Sequence, residues 1–134
     1  MAKYSDIKGF TVQTLSTDTV ASQAAGGSWA SGGNLNTAKT ANTGSGTQTA
    51  ALDAGGEMGP PSTYHGSEEY NGSSWTEGGN LNSLRAQLAA SQAGTQTATI
   101  VFLGRTAPGA VALNEEYNGS AWTELADLNT ARRS

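Results

Sequence analysis

The chain repeats itself at an interval of 46 to 47 residues, marked by Trp29, Trp75 and Trp122. Around the tryptophans recur Asn-Leu-Asn at 34–36 and 80–82, with Asp-Leu-Asn at 127–129. Gly-Thr-Gln-Thr-Ala recurs at 46–50 and 94–98, and Glu-Glu-Tyr-Asn-Gly at 68–72 and 115–119. A fixed period of this size implies one supersecondary unit stacked on copies of itself. Each such unit is too thin to bury its own apolar face, so its neighbours must complete the core. This pattern points away from an enzyme built around one constellation.

Composition sharpens the reading. Leu, Ile, Val and Phe total 18 of 134 residues, below the fraction of about 20% at which disorder is suspected. Disorder also requires high net charge and few aromatics. Here the formal charge is −4, and nine aromatic residues stand mostly at repeating places. The expectation is an ordered β protein rich in Gly, Ala, Ser and Thr. With no cysteine there is no disulfide framework and no thiolate metal site. Acids outnumber bases, which disfavours a nucleic-acid footprint. The opening Met-Ala-Lys-Tyr-Ser-Asp-Ile-Lys has no apolar signal region. The longest largely apolar run, Ala98 to Leu103, is far shorter than a bilayer span. A protein made in a cytoplasm, without membrane insertion, is expected.

Within each period two strand types are predicted. Asn71-Gly72 and Asn118-Gly119, flanked by strand formers, signal type I′ hairpins, in which both central residues take positive φ. Glu68–Tyr70 should then pair with Ser74–Glu77, and Glu115–Tyr117 with Ala121–Glu124. Upstream, Thr47 to Ala54 runs into Gly55-Gly56, where bare backbone suits a close approach. Its counterpart, Thr95 to Leu103, is the most apolar and is predicted to be the most buried strand; it reads Leu103-Gly104 where the first copy has two glycines. The stretch 81–93 has Leu81, Leu84 and Leu88 at helical spacing. The poor helix material at the equivalent 35–45 favours a strand instead. Three or four antiparallel strands per period make a small meander, which is a propeller blade if stacked radially and a solenoid if stacked linearly.

The residues resemble a kelch repeat: an apolar strand closing on Gly-Gly (Ala50 to Gly56), Glu68-Glu69-Tyr70, Trp75 five places beyond Tyr70, and a basic residue, Arg85, near the next strand. The likeness covers about 28–134. More narrowly, the phrasing around Asn71 to Asn82 and Gly46 to Gly56 is similar to the kelch-like repeats in virion proteins of marine bacteriophages, and so is the opening Lys3 to Asp18. That resemblance implies an all-β chain of kelch-like meanders, or partial propeller blades, over 27–134, behind a short attachment segment at 1–26. It implies a non-enzymatic tail or fibre component of the virion, held to other virion proteins by the N-terminal segment and facing host-surface glycan or protein. Gly9 to Leu15 alternates as a strand does, with Phe10 and Val12 on one face; Ile7, Phe10, Val12 and Leu15 are the candidate anchor residues. The rival readings are a capsid decoration protein and a glycan-binding propeller module.

Two periods and the start of a third cannot close a ring of typically four to eight blades. Exposed faces and sheet edges would then demand partners, and a symmetric homo-oligomer or a virion-bound fragment is favoured over a free monomer. The repeat core is assigned to Trp29, Trp75, Trp122, Tyr70, Tyr117, Gly55 and Gly56.

No catalytic residue, cofactor site or metal site is assigned. Glu68-Glu69 and Glu115-Glu116 look like paired carboxylates, but adjacent strand residues face opposite sides, so one should lie inside and one in solvent. His65 is the only histidine and reads as a loop residue. Met58 to Gly66 differs most from its counterpart, and loops that vary on a repeating scaffold are where recognition concentrates. Tyr64 and His65 are therefore the candidate ligand contacts. Asn71-Gly72-Ser73 and Asn118-Gly119-Ser120 match a glycosylation sequon but are explained as turns.

Overall fold

The structure is a computed structural model and describes residues 30–59, 62–107 and 109–133. It is all-β, and no helix occurs among the described residues. The first sheet is a meander of β1 (Thr43–Thr47), β2 (Ala50–Glu57), β3 (Thr63–Tyr70) and β4 (Trp75–Glu77), antiparallel throughout. The second contains β5 (Ala89–Ala90), β6 (Thr99–Phe102), β9 (Asn114–Tyr117) and β10 (Trp122–Glu124) in that spatial order. Between β6 and β9 a small hairpin, β7 (Arg105–Thr106) with β8 (Gly109–Ala110), prolongs the same pair of strands.

The registers show that the two sheets are copies. Asp53 pairs with Glu68 and Ala51 with Tyr70 in the first, while Val101 pairs with Glu115 and Thr99 with Tyr117 in the second. Trp75 lies opposite Tyr70, and Trp122 opposite Tyr117. The rings meet at centroid distances of 4.9 and 4.8 Å, tilted alike. Such aromatic pairs contribute about 0.5–1.5 kcal/mol beyond area burial.

Sequence and structure part in four places. First, the hairpins are not type I′ turns on Asn-Gly. Asn71 N–H bonds the Ser74 carbonyl at 3.2 Å, so Gly72 and Ser73 are the central pair, and of these only Gly72 has positive φ (95°). Asn71 acts through its side chain: Oδ1 accepts from the N–H groups of Ser73 and Ser74, both at 3.0 Å. Asn118 does the same for Ser120 and Ala121. An Asx side chain replaces the backbone strain that a second positive φ would need.

Second, the most buried strand is β2, buried without break from Leu52 to Glu57; β6 alternates instead. The second repeat lies over β2, whereas the matching face of β6 is open. Third, 81–88 is neither helix nor long strand. Leu81 and Leu88 are buried while Leu84 is 51% exposed, so the three leucines share no face. Fourth, His65 and Tyr64 belong to β3 rather than to a loop.

The absent glycine at Leu103 left its backbone conformation behind. Gly55 has φ 65° and Leu103 has φ 63°. A glycine takes this conformation freely, while an L side chain pays about 1–2 kcal/mol. The core gathers Leu52, Ala54, Leu81, Leu88, Val101, Tyr117 and Trp122, drawn from both repeats.

Candidate functional site

One set of polar contacts is built twice, and it explains most of the repeated letters. The segment entering each sheet lies across its third and fourth strands. Asn36 N–H donates to Glu68 Oε2 at 2.7 Å, and its Nδ2 donates to the Trp75 carbonyl at 2.8 Å. Asn82 repeats both bonds on Glu115 and Trp122, at 2.8 and 3.2 Å. Trp75 Nε1 donates to the Gly33 carbonyl, and Trp122 Nε1 to that of Gly79, each at 3.0 Å. Each tryptophan thus clamps an incoming segment to its own sheet, and Trp122 also belongs to the core that both repeats share.

Of the paired glutamates, Glu68 and Glu115 point inward and are 0% and 1% exposed. Glu116 is exposed. Glu69 is half-buried and accepts the Tyr117 hydroxyl at 2.6 Å across the joint between repeats. Burial, reinforced by that bond, pushes the Tyr117 phenol up to about 12.

A cation sits beneath each inner glutamate, and here the copies diverge. Arg85 pairs with Glu115 and donates through Nη1 to the Leu103 and Leu113 carbonyls, both at 3.1 Å. Burial lowers the Arg85 pKa, opposed by Glu115. In the first repeat the cation is Lys39, a compact ammonium where the second copy has a rigid planar fork. Its Nζ lies 2.5 Å from Asp53 Oδ2 and 3.7 Å from Glu68 Oε1, and neither the Lys39 nor the Glu68 side chain is exposed. Asn42 Nδ2 donates to Asp53 Oδ1. The Lys39 ammonium stands 5.0 Å from the centre of the Tyr64 ring. Burial raises the Asp53 pKa, against the pull of Lys39 and Asn42.

The second repeat replaces this group with Arg85, Leu88 and Val101. Sequence reading named neither Asp53 nor Asn42. The available signal was the register: once the copies are aligned on Gly-Gly, a carboxylate stands where the second copy has valine.

The joint between repeats is also built twice. Gly56 N–H donates to the Arg85 carbonyl, Leu81 N–H to that of His65 and Arg85 N–H to that of Tyr64, at 2.9, 2.8 and 3.2 Å. Tyr64 and His65, whose rings stack at 6.0 Å, therefore bind the second repeat through their backbones. Gln96 Nε2 adds bonds to the Ala51 and Tyr70 carbonyls, and Arg105 pairs with Glu57. On the far side of the second sheet the same backbone set recurs: Gly104 to Arg132, Leu128 to Ala112 and Arg132 to Val111, at 2.9, 2.9 and 3.3 Å.

The surface beside that second joint is the candidate interaction site. Leu52, Ala54 and Gly55 are covered in the first sheet; their equivalents Ile100, Phe102 and Leu103 line an open groove of about 580 Å³ with Asn114, Leu128 and Arg132. Ile100 and Leu128 are each 39% exposed, against 2% and 4% for their counterparts Leu52 and Leu81. Phe102 and Leu103 are also larger than the Ala54 and Gly55 that they replace.

Candidate anchors Ile7, Phe10, Val12 and Leu15, and Trp29, lie outside the described residues. Among the described residues no three His, Asp or Glu side chains converge on a point that a metal ion could occupy. No protein-family model matches the chain, and no curated protein matches it.

Proposed function

We propose that this chain is a non-enzymatic structural module of a bacteriophage virion, a tail or fibre component whose kelch-like blades assemble face to face. Residues 1–26 attach it to other virion proteins, and the repeats face the host surface. The observation that carries the reading is the open face of the second sheet. It repeats a surface that the first sheet buries, it is apolar at Ile100, Phe102, Leu103 and Leu128, and its joint bonds are already made.

A second copy of the chain is the occupant. Leu128 and Arg132 already fill the place that an incoming blade's own lead-in would take. Phe102 and Leu103 stand where Ala54 and Gly55 admit Leu88 and Arg85. The copies therefore meet at a spacing wider than the internal joint. Contiguous apolar surface of this kind marks an interaction site, and a self-complementary patch favours a two-fold pairing.

Native mass spectrometry of the full chain tests assembly. An oligomer that Phe102→Asp reduces to monomers is the expected result; a wild-type monomer at tens of micromolar would refute it. Deleting residues 1–26 should leave the repeats folded and abolish incorporation into particles. Undiminished incorporation would remove the anchoring role.

A further inference from the structure

We propose that Lys39 and Asp53 condense with each other, forming an isopeptide bond inside the first sheet with Glu68 as the proton carrier. Three observations place the reactants. Lys39 Nζ and Asp53 Oδ2 are 2.5 Å apart, and the two side chains are 0% and 6% exposed. Glu68 is the direct cross-strand partner of Asp53, and its Oε1 lies 3.7 Å from the same Nζ. Asn42 Nδ2 donates to the other carboxyl oxygen, Oδ1.

The chemistry follows from the position of each atom. Inside a dry site a charged pair is disfavoured relative to its neutral form, so a proton passes from the ammonium to the Asp53 carboxylate. Burial raises the pKa of that carboxyl, as this transfer requires. The neutral amine then attacks Cγ, forming a C–N bond and placing negative charge on Oδ1. Asn42 is already donating there, where charge develops. Glu68 takes a proton from the attacking nitrogen and delivers it to the Oδ2 hydroxyl. The Cγ–Oδ2 bond breaks, water leaves, the carbonyl re-forms, and Glu68 is again a carboxylate. The balance is one amine and one carboxylic acid giving one amide and one water, with no other reactant.

Two circumstances favour the product. Reactants held in contact gain an effective concentration far above any achievable in solution. The burial that holds them also excludes water from the reverse reaction. Glu68 is fixed for its task, since Asn36 N–H and Thr37 N–H donate to it at 2.7 and 3.1 Å. The second repeat supplies an internal control: Arg85 and Val101 occupy the matching places, and neither can take part.

The test is the intact mass of the denatured full chain, together with its trypsin digest. The expected mass falls short of the sequence by one water, and the unfolded chain is cut after Arg85 and Arg105 but not after Lys39. Lys39→Arg restores the full mass, and so does Glu68→Gln. A wild-type chain of full mass that trypsin cuts after Lys39 overturns the inference, whatever the variants do. A deficit that persists in Lys39→Arg also overturns it, because Asp53 would then have closed on its own backbone. A deficit that persists in Glu68→Gln removes Glu68 from the reaction.

Discussion

Replacing Gly55 with alanine separates the joint between repeats from every other feature of the fold. The residue has φ 65°, where an L side chain costs about 1–2 kcal/mol. The added Cβ would lie 2.8 Å from the Arg85 carbonyl oxygen and 2.5 Å from Leu88 Cδ1. The leucine methyl can rotate away. The carbonyl cannot, because it accepts the Gly56 N–H at 2.9 Å. Crowding of this kind in a packed interior costs about 1–3 kcal/mol. The stiffer unfolded chain returns about 0.4–1 kcal/mol. The net loss is about 2–4 kcal/mol, combining the backbone and crowding costs above. In urea, with a slope of about 1–3 kcal/mol/M, this moves the midpoint by roughly 1–3 M, read from the fluorescence of the tryptophans. Leu103→Ala is the matched control: the backbone conformation is the same, but a side chain is already accommodated there, and it should lose only about 1 kcal/mol of partial side-chain burial. If Gly55→Ala unfolds within about 0.5 kcal/mol of the wild type, a range ordinary for an uncrowded surface site, the second repeat does not cover the first.

Further predictions concern the buried charges and the turns. Glu115→Gln leaves the unexposed Arg85 guanidinium without its carboxylate, and breaking such a pair costs about 3–5 kcal/mol in chemical denaturation. The raised pKa of Tyr117 means that the fold holds its proton more tightly than the unfolded chain does. Stability is therefore intact below pH 10 and falls as pH rises from 10 toward about 12. Thermal melts across that window should show the fall in the wild type and a shallower one in Tyr117→Phe. Asn118→Ala removes both bonds that order the β9–β10 turn and should cost about 1 kcal/mol; an unchanged melting temperature would show that Gly119 suffices.

Much of this architecture was legible in the period. The recurrence of Trp, Glu-Glu-Tyr and Asn-Leu-Asn implied equal antiparallel units, and two equal four-stranded sheets follow. Alternation along a strand foretold that each glutamate pair is split between the two faces, but not which member lies inside; the structure puts Glu68 and Glu115 inward and Glu116 in solvent. The turn type was misread because Asn-Gly permits two solutions, and the one adopted uses the asparagine side chain. Burial was misjudged at β6, since its apolar letters describe what it could bury rather than what covers it. The helical spacing of Leu81, Leu84 and Leu88 carried no weight once two of the three were drawn into the joint.

The order of letters along this chain determined its local structure: the repeated units, their strands and hairpins, and the splitting of each carboxylate pair between two faces. These depend on neighbours a few residues away. Tertiary structure alone decided which surface is covered and which charges meet. Lys39 and Asn42 come from the segment before β1, Asp53 from β2 and Glu68 from β3, and their meeting depends on cross-strand register. The contrast between buried Leu52 and exposed Ile100, equivalent residues in equivalent strands, depends on what has been laid over each.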